Sequence, residues 1–267
     1  MPQEKPMKEK RETGGELRED IIAGRNAVAE ALKSGRPIDT VWIAKGTHTG
    51  SLPVLIAQCR KLGIPVKETD SRKMDSLAQN HQGVLAFAAC KPYAELEDLF
   101  ELAKQREEPP FFILCDGLED PHNLGAILRT AEASGAHGVI IPQRRAVGLT
   151  ATVYKASAGA VEYVPVARVN NLTDTIRQLK ERGLWVYGLD MQGSAWCSTD
   201  LSGPVALVVG AEGRGISRLV REQCDQMVSL PMQGNIQSLN ASVACGIVLF
   251  EVMRQRKGLP AVAPKGK

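Results

Sequence analysis

The stretch SLNASVACGIVLFE, from Ser238 to Glu251, sets polar residues directly before an apolar helix. Ser238 is the predicted N-cap, and Asn240 and Ser242 lie in the first predicted turn. The residues from 243 to 250 carry no polar side chain apart from one cysteine, which predicts a helix enclosed by protein on nearly all sides. A cap explains Ser238 but does not explain Asn240.

The same helix is rich in small residues, which predicts a close neighbour. The small residues are Ala241, Ala244, Cys245 and Gly246. Protein interiors are close-packed, so another element must fill the space beside these short side chains. We expect that element to be another part of this chain or a second subunit.

Strand and helix patterns alternate from Phe111 up to this helix. The predicted strands are FFILCDG, GVIIP, VEYVPVARV, WVYGLD, VALVVG and MVSLPM. Such alternation predicts the α/β class, with a parallel sheet covered by helices on both faces. Ligands bind these sheets beyond the carboxyl ends of the strands, so the polar residues of those loops become the candidates for a site.

A smaller α/β unit precedes this sheet. Helical spacing in IIAGRNAVAEALKSG and SLPVLIAQCRKLG, with strands in IDTVWIAKG and GVLAFAAC, predicts a compact unit over residues 21–90. Residues 91–110 are rich in charge and close with two prolines, which is typical of a linker. We expect a disordered tail over 1–20, the main domain over 111–257 and a basic tail over 258–267.

Composition restricts the function classes. The chain has 267 residues, of which 43% are hydrophobic and 24% charged, with a net charge of +3. No apolar run is long enough to cross a bilayer, and the charged start is unlike a signal peptide, so we expect a cytoplasmic protein with no membrane partner. The six cysteines are dispersed without a CxxC pair, which favours reduced thiols and argues against a metal site.

Three loops that follow predicted strands carry the candidate residues. In CDGLEDPHNLGAILRTAEASG, Asn123 lies at the helix mouth and Arg129 on the polar side of the helix. In VVGAEGRGIS, glycines allow the backbone to approach a ligand, and Glu212 lies among them. Each residue also has a purely structural interpretation, as a helix cap, a solubilising charge or a partner of the helix dipole. The glycine spacing matches neither a Walker A loop nor a dinucleotide fingerprint, which disfavours a nicotinamide enzyme.

Together with LPMQGNIQSLNASVA, these loops resemble motifs 1, 2 and 3 of the SpoU/TrmH family of RNA ribose 2′-O-methyltransferases, in the SPOUT superfamily. The blocks DPHNLGAILRTA, LVVGAEGRGI and LPMQGNIQSLNASVA occur in family order. The unit that begins IIAGRNAVAEAL resembles the L30e-like substrate-binding domain of the RlmB type, which methylates a guanosine of 23S rRNA. The resemblance implies a parallel α/β sheet with a carboxyl-terminal trefoil knot, preceded by an L30e-like domain.

The resemblance also implies a cofactor, partners and residue roles. S-adenosyl-L-methionine is the implied methyl donor, RNA is the implied substrate and a homodimer is the implied assembly, with no metal required. Cofactor contacts are implied for Gly210, Leu230 and Leu239. The implied catalytic set is Asn123, Arg129, Glu212, Ser238 and Asn240.

The role of Arg129 follows from its chemistry within this resemblance. In the family that the loops resemble, this arginine is the proposed activator of the ribose 2′-hydroxyl. A guanidinium with a pKa above about 12 is, however, a poor free base. We therefore expect Arg129 to stay cationic, grip a phosphate and stabilise charge on the ribose oxygen, with Asn123 and Glu212 orienting it. The proton acceptor is left open among phosphate, water and a neutral arginine.

Two other functions are weighed against methylation of 23S rRNA. The nearer one is 2′-O-methylation of a tRNA guanosine. The other belongs to a different class, a non-catalytic RNA-binding protein of ribosome assembly, because an L30e-like unit can bind RNA by shape. The complete catalytic set argues against the second alternative.

Overall fold

The computed structural model describes residues 21–47, 49–235 and 238–261. The predicted disordered tail over 1–20 and the basic tail beyond residue 261 lie outside these ranges. Inside them, no helix combines the length and the apolar character that a membrane span needs.

A four-stranded mixed sheet forms the amino-terminal unit. Its strands are β1 (Ile21–Ala23), β2 (Ile38–Ala44), β3 (Val66–Thr69) and β4 (Val84–Ala88), in the spatial order β1-β4-β2-β3. The connecting helices are α1 (Arg25–Lys33), α2 (Leu52–Lys61) and α3 (Ser71–Asp75). Strand β4 is antiparallel to both of its neighbours, whereas β2 and β3 are parallel.

Six parallel strands form the second sheet. They are β5 (Phe111–Asp116), β6 (Gly138–Pro142), β7 (Val166–Val169), β8 (Trp185–Ala195), β9 (Val205–Gly210) and β10 (Gln226–Ser229), in the order β10-β8-β9-β5-β6-β7. Every neighbouring pair is parallel, which confirms the predicted α/β class. The chain runs outward from β5 to β7 and then builds the other half of the sheet. The carboxyl ends of β5 and β9 therefore flank the switch point, where such sheets bind ligands.

Helices cover both faces of this sheet. One face carries α5 (Pro121–Ser134), α6 (Ala151–Ala156) and α9 (Ala241–Arg256), and the other carries α4 (Leu96–Gln105), α7 (Leu172–Glu181) and α8 (Arg218–Arg221). Along β5, Ile113 belongs to the first core while Phe112 and Leu114 belong to the second. Strands buried on both faces read as continuous apolar runs, which is the pattern of FFILC.

The segment between the units departs from the predicted linker. Residues 91–110 contain α4, a ten-residue helix, where the charged residues and the two closing prolines predict a linker. Leu99 and Ala103 of this helix are buried, and Leu99 packs into the core of the second sheet. The backbone N–H of Glu95 donates to the Asp98 carboxylate at 2.8 Å, which fixes the start of the helix. The apolar stripe was too short to stand out among the surrounding charges.

Helix α9 begins later than predicted, because its N-cap is Asn240 and not Ser238. The Oδ1 atom of Asn240 accepts hydrogen bonds from the backbone N–H groups of Ser242 at 3.0 Å and Val243 at 3.2 Å. Ser238 lies exposed before the helix. Asn240, which the predicted cap at Ser238 left unexplained, is therefore the residue that caps the helix.

One face of α9 is apolar and exposed. Val243, Ile247 and Phe250 recur at helical spacing and are 51%, 38% and 44% exposed. Cys245 and Val248, on the other side, are fully buried in the core. The single chain therefore encloses only part of the helix, and the prediction of enclosure on nearly all sides does not hold within one chain.

A buried ion pair joins the two units. Arg168 on β7 donates to the backbone carbonyl of Asp39 at 2.7 Å, and its guanidinium lies 3.4 Å from the Asp39 carboxylate. The hydroxyl of Tyr93 donates to the same carboxylate. The two charged side chains are only 11% and 5% exposed, so each needs the other to offset its loss of hydration. This pairing fixes β2 of the first unit against β7 of the second.

His137 is buried and uncharged at the start of β6. Its Nδ1 atom accepts a hydrogen bond from the Phe111 N–H at 3.1 Å, so Nε2 carries the proton and donates to the Glu108 carboxylate at 3.0 Å. Burial lowers the pKa of His137 below its ordinary value of 6.5, the bond to Glu108 opposes this, and Arg106 and Arg256 lower the pKa further.

We expect the free energy of unfolding to decrease as the pH falls below 6.5. The unfolded chain then binds a proton at His137 that the folded chain does not, which favours unfolding by at most about 1.4 kcal/mol per pH unit. In urea titrations, His137→Gln should flatten this pH dependence. His122→Gln, which changes an exposed histidine, is the control. The same pH dependence in wild type and His137→Gln would contradict a neutral buried His137.

Candidate active site

Three side chains from separate segments of the chain form one hydrogen-bonded cluster. Asn240 Nδ2 donates to Glu212 Oε1 at 2.6 Å and to Asn123 Oδ1 at 2.8 Å. Asn123 Nδ2 donates to the same Glu212 oxygen at 3.1 Å. The loops that follow β5, β9 and β10 therefore meet at one point, although 117 residues separate Asn123 from Asn240. We call Asn123, Glu212 and Asn240 the amide–carboxylate cluster.

Asn123 lies in the first turn of helix α5, which fixes its position. Asp120 is the N-cap, with its Oδ1 atom accepting from the His122 N–H at 3.0 Å, and Pro121 starts the helix. The cap interpretation therefore applies to Asp120 and not to Asn123. Asn123 is only 3% exposed, and its hydrogen bonds within the cluster satisfy its buried amide group.

A tight loop after β9 presents Glu212. The backbone groups of Ala211 and Gly215 hydrogen-bond to each other in both directions, at 3.1 and 2.8 Å, which closes the loop. Gly213 and Gly215 have φ angles of 76° and 64°, in the region that favours glycine. A Cβ atom on Gly210 would lie 2.1 Å from the carbonyl carbon of Gly215. Only glycine can therefore occupy position 210 without opening the loop.

A cavity of about 700 Å³ opens beside the amide–carboxylate cluster. Its lining includes most of the predicted site residues, namely Gly210, Glu212, Leu230, Ser238, Leu239 and Asn240. Asn123 and Arg129 do not line the cavity. Asn123 hydrogen-bonds to Glu212 and Asn240, which do. The volume lies within the range of sites that enclose a small ligand.

One wall of the cavity consists of residues that the sequence analysis did not predict. Leu189, Asp190 and Met191 lie on β8 just beyond Gly188, where the pairing of β8 with β9 ends. The Asp190 carboxylate forms an ion pair with Arg221. The same rule that selected the other loops, polar residues at strand carboxyl ends, would have found Asp190 in WVYGLDMQG.

Arg129 lies apart from the cluster. It is exposed on α5, and six residues of helix place it about 9 Å along the axis from Asn123. In the described part of the chain it forms no hydrogen bond or ion pair. Within the described part of this single chain, Asn123 and Glu212 bond to each other and to Asn240 and not to Arg129, so their orienting role for Arg129 stays a prediction.

A family model settles what kind of protein this is. The model of the SpoU rRNA methylase family matches residues 110–250, more than half of the chain. The chain belongs to the SpoU methylase family. A second model, for RNA 2′-O ribose methyltransferase substrate binding, matches residues 21–96 of this SpoU protein. These matches confirm the predicted SpoU/TrmH family and SPOUT superfamily, and with them an RNA methyltransferase.

Relatives of this SpoU protein align over almost its whole length. YacO of Bacillus subtilis (strain 168), assigned to the TrmH family of tRNA/rRNA methyltransferases, is 50% identical over 239 residues, which cover 89% of this chain and 96% of YacO. A TrmH family relative from Staphylococcus aureus (strain MSSA476) is 43% identical over 242 residues, with coverages of 90% and 98%.

Solved structures identify the cofactor. The SpoU methyltransferase AviRb from Streptomyces viridochromogenes, in complex with AdoMet, is 26% identical, covers 89% of this chain and 90% of its own, and has a TM-score of 0.57. The AdoMet-bound rRNA methyltransferase from Sinorhizobium meliloti is 28% identical, with coverages of 90% and 88% and a TM-score of 0.56. The cofactor of this SpoU protein is S-adenosyl-L-methionine (AdoMet).

The cavity suits AdoMet chemically. Leu189, Leu230 and Leu239 supply apolar surface for an adenine ring. Glu212 brings a carboxylate to a ligand that carries a sulfonium and an ammonium charge, whereas the Asp190 carboxylate is already paired with Arg221. Close approach of the ligand to the backbone is possible at Gly210, Gly213 and Gly215 of the glycine-rich loop, which line the cavity without side chains.

Two cysteine thiols in the core beside the sheet are unreactive, and the described residues contain no group of metal ligands. Within residues 21–47, 49–235 and 238–261, no three His, Cys, Asp or Glu side chains group as a metal site. Burial raises the pKa of the Cys115 thiol to about 12, and it raises the pKa of Cys245 well above the ordinary value. These two thiols are therefore neutral and unsuited to act as nucleophiles.

Proposed function

We propose that this SpoU protein transfers the methyl group of AdoMet to the ribose 2′-oxygen of a guanosine in 23S rRNA. The amide–carboxylate cluster carries the proposal, because it gathers polar groups from three loops at the edge of the AdoMet cavity. The substrate-binding match over residues 21–96 supports a ribose target and an RNA partner. The presence of that unit favours rRNA over tRNA.

AdoMet, when bound, supplies a methyl group that its sulfonium already activates. The chain must then orient the ribose hydroxyl and accept its hydrogen bond. Both amide groups of the cluster bond to Glu212 Oε1, which fixes the carboxylate. In the described part of the chain, Glu212 Oε2 accepts no hydrogen bond, and we assign this atom to the ribose hydroxyl. Ser238, exposed at the cavity rim, is placed to bind the same sugar.

We assign Arg129 to an RNA phosphate beside the target ribose. The side chain is exposed, and a guanidinium binds phosphate through paired hydrogen bonds. Because arginine is a poor base, its charge would hold the RNA backbone beside the site without removing the proton.

The L30e-like fold of the first unit and the trefoil knot of the second belong to the same proposal. The connection from β8 to β9 contacts helix α9, which follows the proposed knot crossing. Near the end of α9, Gln255 accepts from the Leu201 N–H at 2.7 Å and donates to the Thr199 carbonyl at 2.9 Å. These contacts support a carboxyl-terminal segment that passes through this connection.

The exposed apolar face of α9 supports a homodimer. Two copies of the face formed by Val243, Ile247 and Phe250 can cover each other around a twofold axis, since such an interface uses the same patch twice. Apolar patches of this kind on soluble proteins mark interaction surfaces.

Ile247→Asp should convert the homodimer into a monomer, because it places a charge inside an apolar contact. Sedimentation velocity at micromolar concentration measures the change. Val54→Asp, at a position on α2 that is 69% exposed, is the control and should sediment as the wild type does. A wild-type protein that sediments as a monomer would contradict the homodimer.

A tRNA guanosine is the second candidate target, since the relatives are assigned to a family of tRNA/rRNA methyltransferases. Methyl-labelled AdoMet should be incubated with unmethylated transcripts of 23S rRNA and, separately, of tRNA. The proposal predicts label in 23S rRNA and none in tRNA. Label in tRNA alone would show that the substrate is tRNA and not 23S rRNA. Tight RNA binding without any methyl transfer would favour a non-catalytic assembly protein.

A further inference from the structure

A second cavity lies between the two units. Its volume is about 1270 Å³, and no residue lines both it and the AdoMet cavity. The amino-terminal unit contributes the end of α2 and strand β3, and the second unit contributes the loop between β6 and α6. We call this space the inter-unit cleft.

Exposed cations line both walls of the cleft. They are Arg60, Lys61 and Lys67 on the amino-terminal wall, and Arg144 and Arg145 on the other wall. In the described ranges none of these five forms an ion pair, so their charges are available to a ligand. Cations on two facing walls create a positive potential that attracts a polyanion.

The negative charges of the cleft do not cancel this excess. Glu68 and Glu119 are its exposed carboxylates. The third carboxylate, Asp39, is buried and pairs with Arg168, which also lines the cleft. Five free cations therefore face two free carboxylates.

The cleft meets the active site through one short loop. The Val147 N–H, on the cleft wall, donates to the Leu118 carbonyl at 2.8 Å, in the loop that leads to Asn123. A Cβ atom on Gly117 would lie 3.7 Å from the Cβ of Ala211 and 3.9 Å from the carbonyl oxygen of Arg145. Ala211 lines the AdoMet cavity, so a single residue separates that cavity from the loop that carries the two arginines.

The backbone of the arginine loop is unusual. Arg145 has a φ angle of 57°, a left-handed conformation that residues with a Cβ rarely adopt. Glycine or asparagine would adopt it with less strain, and strained residues of this kind cluster at functional sites.

We propose that the inter-unit cleft binds the phosphate backbone of the RNA beside the target ribose, an inference that rests on the proposed function. The cations of both walls would contact consecutive phosphates, and the chain of RNA would pass over the Gly117–Leu118 loop to the AdoMet cavity. The Arg168–Asp39 pair holds the two walls at a fixed separation. RNA recognition is thereby shared by both units and is not confined to the first.

The test compares wild type with the double variant Arg144→Gln/Arg145→Gln. Binding to a 23S rRNA transcript is measured by filter retention across a range of salt concentrations. Loss of two phosphate contacts should weaken binding about 10-fold or more and reduce the slope of log K against log salt by about 1 to 2. The KM for the transcript should rise, with a smaller change in kcat and with AdoMet affinity unchanged.

The matched control is Arg36→Gln/Arg106→Gln, which removes the same charge from exposed positions outside both cavities. It should keep the wild-type salt slope and KM. If the cleft variant behaved like this control while the wild type transferred methyl groups, the cleft proposal would be overturned and the proposed function would stand.

Failure of the proposed function gives a different result. A wild type that binds AdoMet but methylates no transcript would refute the function, and filter retention would still test the cleft. A reduced salt slope in the cleft variant alone would then support phosphate binding there, and equal slopes in all three proteins would overturn it.

Discussion

Asn240→Asp should reduce methyl transfer about 100-fold or more while the protein stays folded, because removing one catalytic hydrogen-bond donor commonly has an effect of this size. Aspartate is as good an N-cap as asparagine, so α9 keeps its start. The new carboxylate, however, replaces an amide that lies 2.6 Å from Glu212 Oε1. Two carboxylates at that distance repel each other, and Asn123 loses its donor as well. Initial rates with labelled AdoMet, together with urea unfolding, separate the two effects.

Asp120→Asn is the matched control for this variant. It exchanges the same two residue types at the N-cap of α5, beside the same site but outside the amide–carboxylate cluster. Its transfer rate should stay close to that of the wild type. If Asn240→Asp also transferred methyl groups at the wild-type rate, the cluster would have no part in the reaction.

Gly210→Ala should abolish AdoMet binding. The added methyl group would lie 2.1 Å from the backbone of Gly215, which cannot move while the hydrogen bonds between Ala211 and Gly215 hold the loop closed. Relief of the overlap therefore requires the loop to open, which displaces Glu212. We expect the affinity for AdoMet, measured by isothermal titration calorimetry, to fall at least about 100-fold, or about 2.7 kcal/mol.

Gly203→Ala is the corresponding control. This glycine precedes β9, and an added Cβ atom would meet nothing within 4 Å. The variant should bind AdoMet as the wild type does. Circular dichroism shows whether Gly210→Ala is folded, and a folded Gly210→Ala with wild-type affinity would show that the loop after β9 does not bind the cofactor.

The sequence predicted the meeting of the three loops because of a property of parallel sheets. Strands that run in one direction place their carboxyl ends at one edge, so the residues after FFILCDG and VALVVG had to come near each other. The order of the strands was not predictable in the same way. That order puts β5 directly beside β9, and it brings β8 to the same edge, which adds Asp190 to the cavity.

Some features depend on contacts that a pattern of residue types does not contain. Ser238 and Asn240 are equally suitable caps by type, so the residue types alone do not show that Asn240 caps the helix. The resemblance places Arg129 with Asn123 and Glu212 in one catalytic set. Six residues of helix α5 separate Arg129 from Asn123, which bonds to Glu212. The pair of Asp39 and Arg168 joins residues 129 positions apart, so the cleft between the units had no local signal.

The identity of the modified nucleoside tests the central claim most directly. Wild-type protein, labelled AdoMet and unmethylated 23S rRNA are incubated together, and the RNA is then digested to nucleosides and separated by chromatography with mass detection. A cavity that presents the methyl donor to a ribose oxygen predicts one labelled product, 2′-O-methylguanosine. Label on a base, or RNA that stays unlabelled with enzyme that has bound AdoMet, would contradict it.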